Sequence, residues 1–235
     1  MSSEEDECVL IDPPPLDKDA LNKLIGVKVN NMALYQKAFT HKSAMKKYTL
    51  TESFETLEFI GDSVLGFVIT KWLFDRYEEH QEGFLTKART KLVRGETLTK
   101  LATHLNLDMW ILMDDKGIRN GWNKNPKVLE DVLEALIGAV YLDLGLVHAK
   151  QFVLELFKQV DMGCLMIDDN HKDQLMRWCQ SKKYELPLYQ ILTHINGIFT
   201  VTVTVNNVVT GLGSARNKKQ AEQQAASETL KHISI

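Results

Sequence analysis

Cysteine is scarce and oddly numbered. Cys8, Cys164 and Cys179 are the only three in 235 residues, and they lack metal-site spacing. Both observations argue against a disulfide framework or a zinc site and point to free thiols in a reducing compartment. No uninterrupted apolar run approaches the ~20 residues of a membrane-spanning helix, and the opening Met1-Ser-Ser-Glu-Glu-Asp-Glu is acidic where a secretory leader would be basic. A soluble, intracellular and cytoplasmic protein with no membrane partner is expected. Internal repeats are absent, and of five prolines only Pro126 falls between residues 21 and 160.

A basic excess is also missing, since the formal net charge is -3. The charge is unevenly spread, however. Residues 170–235 hold eight basic and four acidic side chains, a total of +4, which leaves -7 on residues 1–169, of which -6 lies in residues 1–19. That asymmetry hints at polyanion binding toward the C-terminus.

Four segments follow from composition and periodicity. Residues 1–19, acidic and carrying Pro13-Pro14-Pro15, cannot bury enough apolar surface to offset chain ordering and read as a disordered tail. From 20 to 160 apolar residues recur three and four apart, as in Leu57, Ile60, Val64, Leu65 and Val68, which predicts an all-α domain. Gly117 to Pro126 is rich in Gly and Asn and reads as a loop. Residues 161–169 form a linker, and 170–235 make a small α+β domain of order α-β-β-β-α. There, Phe199 to Val205 alternates apolar with Thr, Asn206-Asn207 suits a hairpin turn, and a helix over 218–232 turns Ala221, Ala225 and Leu230 to the sheet.

The most informative stretch is Glu55-Thr-Leu-Glu-Phe-Ile-Gly-Asp-Ser-Val-Leu-Gly66. Glu55, Glu58 and Asp62 share one face of an otherwise apolar helix. A second apolar helix, 128–143, carries Asp131 and Glu134 at i and i+3, and neither stretch contains Lys or Arg. Buried carboxylates without partners cost several kcal/mol, by rough estimate, so something positive is expected there. Packing the two helices together would gather Glu58, Asp62, Asp131 and Glu134. An all-oxygen set of this kind selects Mg²⁺, with Mn²⁺ as a substitute.

In the last domain, Gly211-Leu-Gly-Ser-Ala-Arg-Asn-Lys-Lys219 reads as a glycine-containing turn that opens a helix with Arg216, Lys218 and Lys219 at its N-terminal end. Cations are unfavourable there unless an anion such as phosphate docks on the free N–H groups.

The 55–66 stretch closely resembles the ribonuclease III signature ERLEFLGDSVLG. Phe39-Thr-His-Lys-Ser43, Glu82-Gly-Phe-Leu85 with Leu92-Val-Arg94, and Leu129 to Asp143 resemble three further elements of that family, in order. The resemblance implies an all-α endonuclease domain whose metal ligands fall on Glu58, Asp62, Asp131 and Glu134, helped by Glu82. Glu55 matches an acid near a subunit interface, and Lys127 resembles a lysine lying by the scissile region in Dicer-type members. Thr56 stands where the family usually has arginine, which questions whether Glu55 has a basic neighbour. The segment after Ser214 resembles the KKxAExxAA hallmark of double-stranded-RNA-binding domains. Met176-Arg177 and the short His194-Ile-Asn-Gly197 depart from that family at its minor-groove contacts. The implied function is a homodimeric, Mg²⁺-dependent endoribonuclease that leaves 5′-phosphate and 3′-hydroxyl ends in double-stranded RNA, for processing or for degradation of duplexes that feed RNA silencing. The alternative is a catalytically weak member that sequesters double-stranded RNA.

Overall fold

A computed structural model of the chain describes residues 12–48, 50–160 and 170–233, and the chain separates into two compact units, Met1–Leu165 and Met166–Ile235. Residues 1–11 of the expected tail, the expected linker 161–169, Cys8 and Cys164 lie outside the described residues. Cys179 is a buried free thiol.

The described part of the first unit is helical: α1 (Lys18–Ile25), α2 (Met32–Ala38), α3 (Lys42–Lys47), α4 (Glu55–Arg76), α5 (Glu82–Val93), α6 (Gly95–His104), α7 (Asp115–Arg119) and α8 (Pro126–Phe157). Helix α1 begins inside the stretch read as tail. The Asp17 carboxylate accepts from the N–H groups of Asp19 and Ala20, and Leu21 is fully buried, so a cap and a core contact together overcome the polar composition. The loop expected over 117–126 is shorter than its composition suggests. Asp114 caps α7 through the Gly117 N–H, and Gly121, at φ +68°, stops that segment rather than opening a long loop.

Helices α4 and α8 form the centre of this unit, and two glycines decide how closely they cross. A Cβ on Gly61 would overlap the backbone oxygen of Glu134, and one on Gly138 would overlap that of Leu57. The two backbones therefore touch at the level of the carboxylates. Leu133, Ala135, Leu136, Ile137 and Ala139 are fully buried around this crossing. Helix α8 is long and apolar enough to cross a membrane by composition, yet more than half of its most apolar stretch is buried inside the fold and its backbone breaks at Gly145. Ahead of that break Asp143 accepts from the N–H groups of Asn30 and Asn31 and from the buried Tyr35 hydroxyl at 2.9 Å, tying the start of α2 to α8.

The second unit comprises α9 (His171–Ser181), strands β1 (Leu188–Ile195), β2 (Ile198–Val205) and β3 (Val208–Ala215), and α10 (Lys218–Ile233). The sheet is antiparallel in the order β1-β2-β3. Val201, Val203 and Val205 are buried while Thr200, Thr202 and Thr204 of the same strand are only partly covered, the alternation that the sequence predicts. Both hairpins turn on two residues of positive φ, Asn196-Gly197 and Asn206-Asn207, as their tight geometry requires. The first hairpin thus carries no extended loop. Gly211 and Gly213 do not form the turn read from the sequence. They lie in β3, where an added Cβ would overlap the Ala225 and Ala221 carbonyl oxygens of α10. Small residues on both sides let helix and sheet approach at that point.

Candidate functional site

The α4–α8 crossing brings Glu58, Asp131 and Glu134 together, with one carboxylate oxygen from each lying within 4.8 Å of the others. Glu134 is only 7% exposed. Burial, and after it the charges of Asp62 and Glu130, push its carboxyl up to about 8. Burial first and Asp131 second also raise Glu58. Asp62, the fourth predicted ligand, is exposed one turn beyond Glu58 and outside this group. It still supplies the strongest neighbouring charge acting on Glu134.

Lys127, named above from the family resemblance, is also the basic neighbour of these acids, one residue before the 128–143 stretch that contains none. Its Nζ lies 2.7 Å from Asp131 Oδ1 and 3.6 Å from a Glu130 oxygen, one helical turn along α8. One ammonium faces three clustered carboxylates and the neighbouring Glu130. Asp131 Oδ1 is itself buried and receives this ion pair without a well-directed hydrogen bond. A group of hard oxygen donors whose negative charge exceeds that of the one ammonium beside it fits a divalent cation.

The accessory acids lie apart from this group. Glu82 is exposed at the start of α5, accepts from the Thr86 hydroxyl at 2.7 Å, and lines a groove with Thr70, Leu73, Phe74 and Arg89. Thr70 is eight residues beyond Asp62, roughly 12 Å along the α4 axis, so within one chain Glu82 does not join the cluster. Glu55 does have a basic neighbour despite Thr56. Lys42, from the Phe39–Ser43 segment, stands 3.7 Å from it, and the Ser53 hydroxyl donates to its other oxygen. That segment is anchored by backbone hydrogen bonds from His41 N–H to the Leu112 carbonyl and from Leu112 N–H to the Phe39 carbonyl.

Because Glu134 and Glu58 bind protons more tightly when folded, their effect on stability has a definite sign. The contribution is complete below the ordinary carboxyl value of 4.5 and is lost as pH rises through about 8 for Glu134. In chelator, the first unit should therefore lose stability between about pH 4.5 and about pH 8, and Glu134→Gln should flatten that loss. Chemical denaturation across this range measures it, and identical slopes for the two proteins would contradict the argument.

In the second unit Arg216, Lys218 and Lys219 are all exposed at the start of α10. Asn217 receives the Lys219 N–H at 2.8 Å, and the first turn holds no acidic residue. Lys218 reaches Glu222 only at 4.0 Å, while Lys172 pairs with Glu222 at 2.6 Å. Arg177 pairs with Asp173 along α9. Sequence reasoning missed Gly61, Gly138, Glu130 and Asp143. The close helix crossing was signalled only by glycines within two strongly apolar helices.

Residues 31–160 match the family described as Ribonuclease-III-like, and residues 171–233 match the double-stranded RNA binding motif. A protein of Paramecium bursaria Chlorella virus 1 is 38% identical over 93% of this chain and 80% of its own length. Ribonuclease 3 of a Wolbachia from Drosophila simulans is 37% identical over 92% of this chain and 95% of its own. Among solved structures, the nuclease domain of ribonuclease III from Campylobacter jejuni, described for flexibility in a region involved in dimer formation, aligns with a TM-score of 0.57. That alignment has 36% identity and covers 61% of this chain and 97% of that one.

Proposed function

This chain belongs to the ribonuclease III family, and from that premise we propose that it is a divalent-metal-dependent endoribonuclease cutting double-stranded RNA to 5′-phosphate and 3′-hydroxyl ends. The observation carrying the reading is the carboxylate group of Glu58, Asp131 and Glu134, with Asp62 beside it, at a glycine-mediated helix crossing. These four residues would hold Mg²⁺, or Mn²⁺ in its place. When bound, such an ion lowers the pKa of water and offsets charge developing on phosphate oxygens. The protein supplies the rest: α4 and α8 hold the carboxylates rigidly, and burial of Glu134 keeps bulk water from screening it. Its biological substrate is structured RNA for processing or duplex RNA for degradation, including duplexes that feed silencing. The test is cleavage of a defined RNA duplex in magnesium and in chelator, with the product ends determined. Binding without magnesium-dependent cutting would instead support a sequestering role.

Double-stranded RNA is engaged by the start of α10, where Arg216, Lys218 and Lys219 carry phosphate contacts. Replacing Lys218 and Lys219 together by alanine should weaken binding regardless of sequence and reduce the salt slope by about two, since each phosphate contact releases counterions. Binding titrations at several salt concentrations check this, and an unchanged slope would place the phosphates elsewhere.

Two strands must be cut, and a two-fold dimer matches the symmetry of the duplex. Helix α4 leaves Phe59, Phe67 and Phe74 76%, 57% and 62% exposed along one side, and Glu58 and Asp62 border this stripe. A second copy covering the stripe would give the homodimer. Phe67→Asp should yield monomers in analytical ultracentrifugation at concentrations where the unaltered chain is dimeric. A dimer that persisted unweakened would move the interface away from this side of α4.

A further inference from the structure

Lys127, which the family resemblance sets near the scissile region, is engaged here by the carboxylates themselves. Asn125 caps α8 by accepting the Lys127 N–H at 2.9 Å, so the lysine lies in the first turn of α8, just ahead of the carboxylates. Its ammonium is 2.7 Å from Asp131 Oδ1, while its side chain as a whole remains largely exposed. Asp131 is largely buried, belongs to the Glu58–Asp131–Glu134 group, and holds this ammonium through an ion pair on a buried oxygen. Glu130, outside the group, stands 3.6 Å from the same ammonium. The ammonium is thus shared between a carboxylate inside the group and one outside it, on successive positions of one helix.

We propose that Lys127 is the resident counter-cation of the carboxylate group, that a divalent cation must displace it from Asp131 to load, and that it then swings to Glu130. The inference rests on the reading of Glu58, Asp131 and Glu134 as metal ligands. Its physical basis is that one buried oxygen cannot hold two cations at contact distance without strong repulsion. A group of carboxylates with no counter-charge would be costly to bury before the ion arrives. Glu130 makes the exchange short: a change of partner from i+4 to i+3 needs only side-chain rotation. The released ammonium keeps a partner.

The test is Mn²⁺ binding to the full-length, RNA-free protein, read from the free-ion signal in electron paramagnetic resonance. Lys127→Met keeps most of the stem and removes the charge. It should bind Mn²⁺ about ten- to a hundredfold more tightly, because a charge-assisted contact no longer has to be broken. The same variant should melt at a lower temperature than the unaltered chain in chelator and show the larger rise on adding Mn²⁺. Lys127→Arg, which restores a cation, should return both values toward those of the unaltered chain. Equal or weaker Mn²⁺ binding by the Met variant would overturn the exchange, since a lysine needed only for folding could not improve affinity when lost. Glu134→Gln separates this from failure of the ligand reading. If it abolishes Mn²⁺ binding while the Met variant is unchanged, the ligands stand and the exchange falls. If it binds Mn²⁺ like the unaltered chain, both fall.

Discussion

Glu134→Gln is expected to abolish cleavage of double-stranded RNA in magnesium, by on the order of a thousandfold or more, while duplex binding stays near its original strength. The magnitude follows from the several kcal/mol that a bound divalent ion contributes to transition-state stabilisation, each 1.4 kcal/mol being about a factor of ten. Glutamine keeps the shape of the side chain and removes the charge, so the α4–α8 packing should survive. Binding survives because the exposed cations of α10 belong to the other unit. The variant should also be the more stable protein in chelator at pH 8, where the unaltered Glu134 is ionising in a buried site. Single-turnover cleavage, equilibrium binding and denaturation of the same preparation give the three readouts. Cutting at a near-original rate would remove Glu134 from the metal site.

The second large effect concerns the backbone crossing. Gly61→Ala or Gly138→Ala should each lower the stability of the first unit by about 3 kcal/mol, a fall in Tm of roughly 6–12 °C, and sharply reduce cleavage as well. In an isolated helix alanine is favoured over glycine by about 1 kcal/mol, so propensity alone predicts the opposite sign. The overlap decides otherwise. At Gly61 the added methyl meets the Glu134 backbone, and at Gly138 the Leu57 backbone, neither of which can rotate away as a side chain would. The helices must separate, and Glu58 moves away from Asp131 and Glu134. Gly83→Ala is the control: its methyl meets nothing within 4 Å, and stability should change by only about half a kcal/mol. Thermal denaturation of the three variants distinguishes the accounts. A Tm unchanged in the Gly61 and Gly138 variants would mean that the crossing is looser than the contact distances imply.

Much of the fold was legible in residue order because it rests on local periodicity. The apolar recurrence through Leu57, Val64, Leu65 and Val68 corresponds to the buried face of α4, and the strict alternation from Phe199 to Val205 corresponds to β2. Asn206-Asn207 took the positive φ values that such a turn demands. Misreadings arose where one residue type serves two purposes. Glycines mark turns when nothing is nearby, as at Gly121, but in β3 Gly211 and Gly213 are there because α10 packs against them. Acidic composition suggested a tail through residue 19, whereas Asp17 is a helix cap.

Residue order by itself determined the helical and strand elements, the carboxylate spacing on α4 and α8, and the cations that open α10, because each depends on neighbours a few positions apart. Only the tertiary structure decided which carboxylates meet. Glu58, Asp131 and Glu134 converge, Asp62 stands at their edge, and Glu82 lies turns away beside Thr70 and Phe74. It also decided that Lys127 neutralises part of the group and that Lys42 serves Glu55. The physical reason is that charge interactions depend on distance through space and on exclusion of water. Both are set here by two glycines, Gly61 and Gly138, that let the α4 and α8 backbones touch although they lie far apart in the chain.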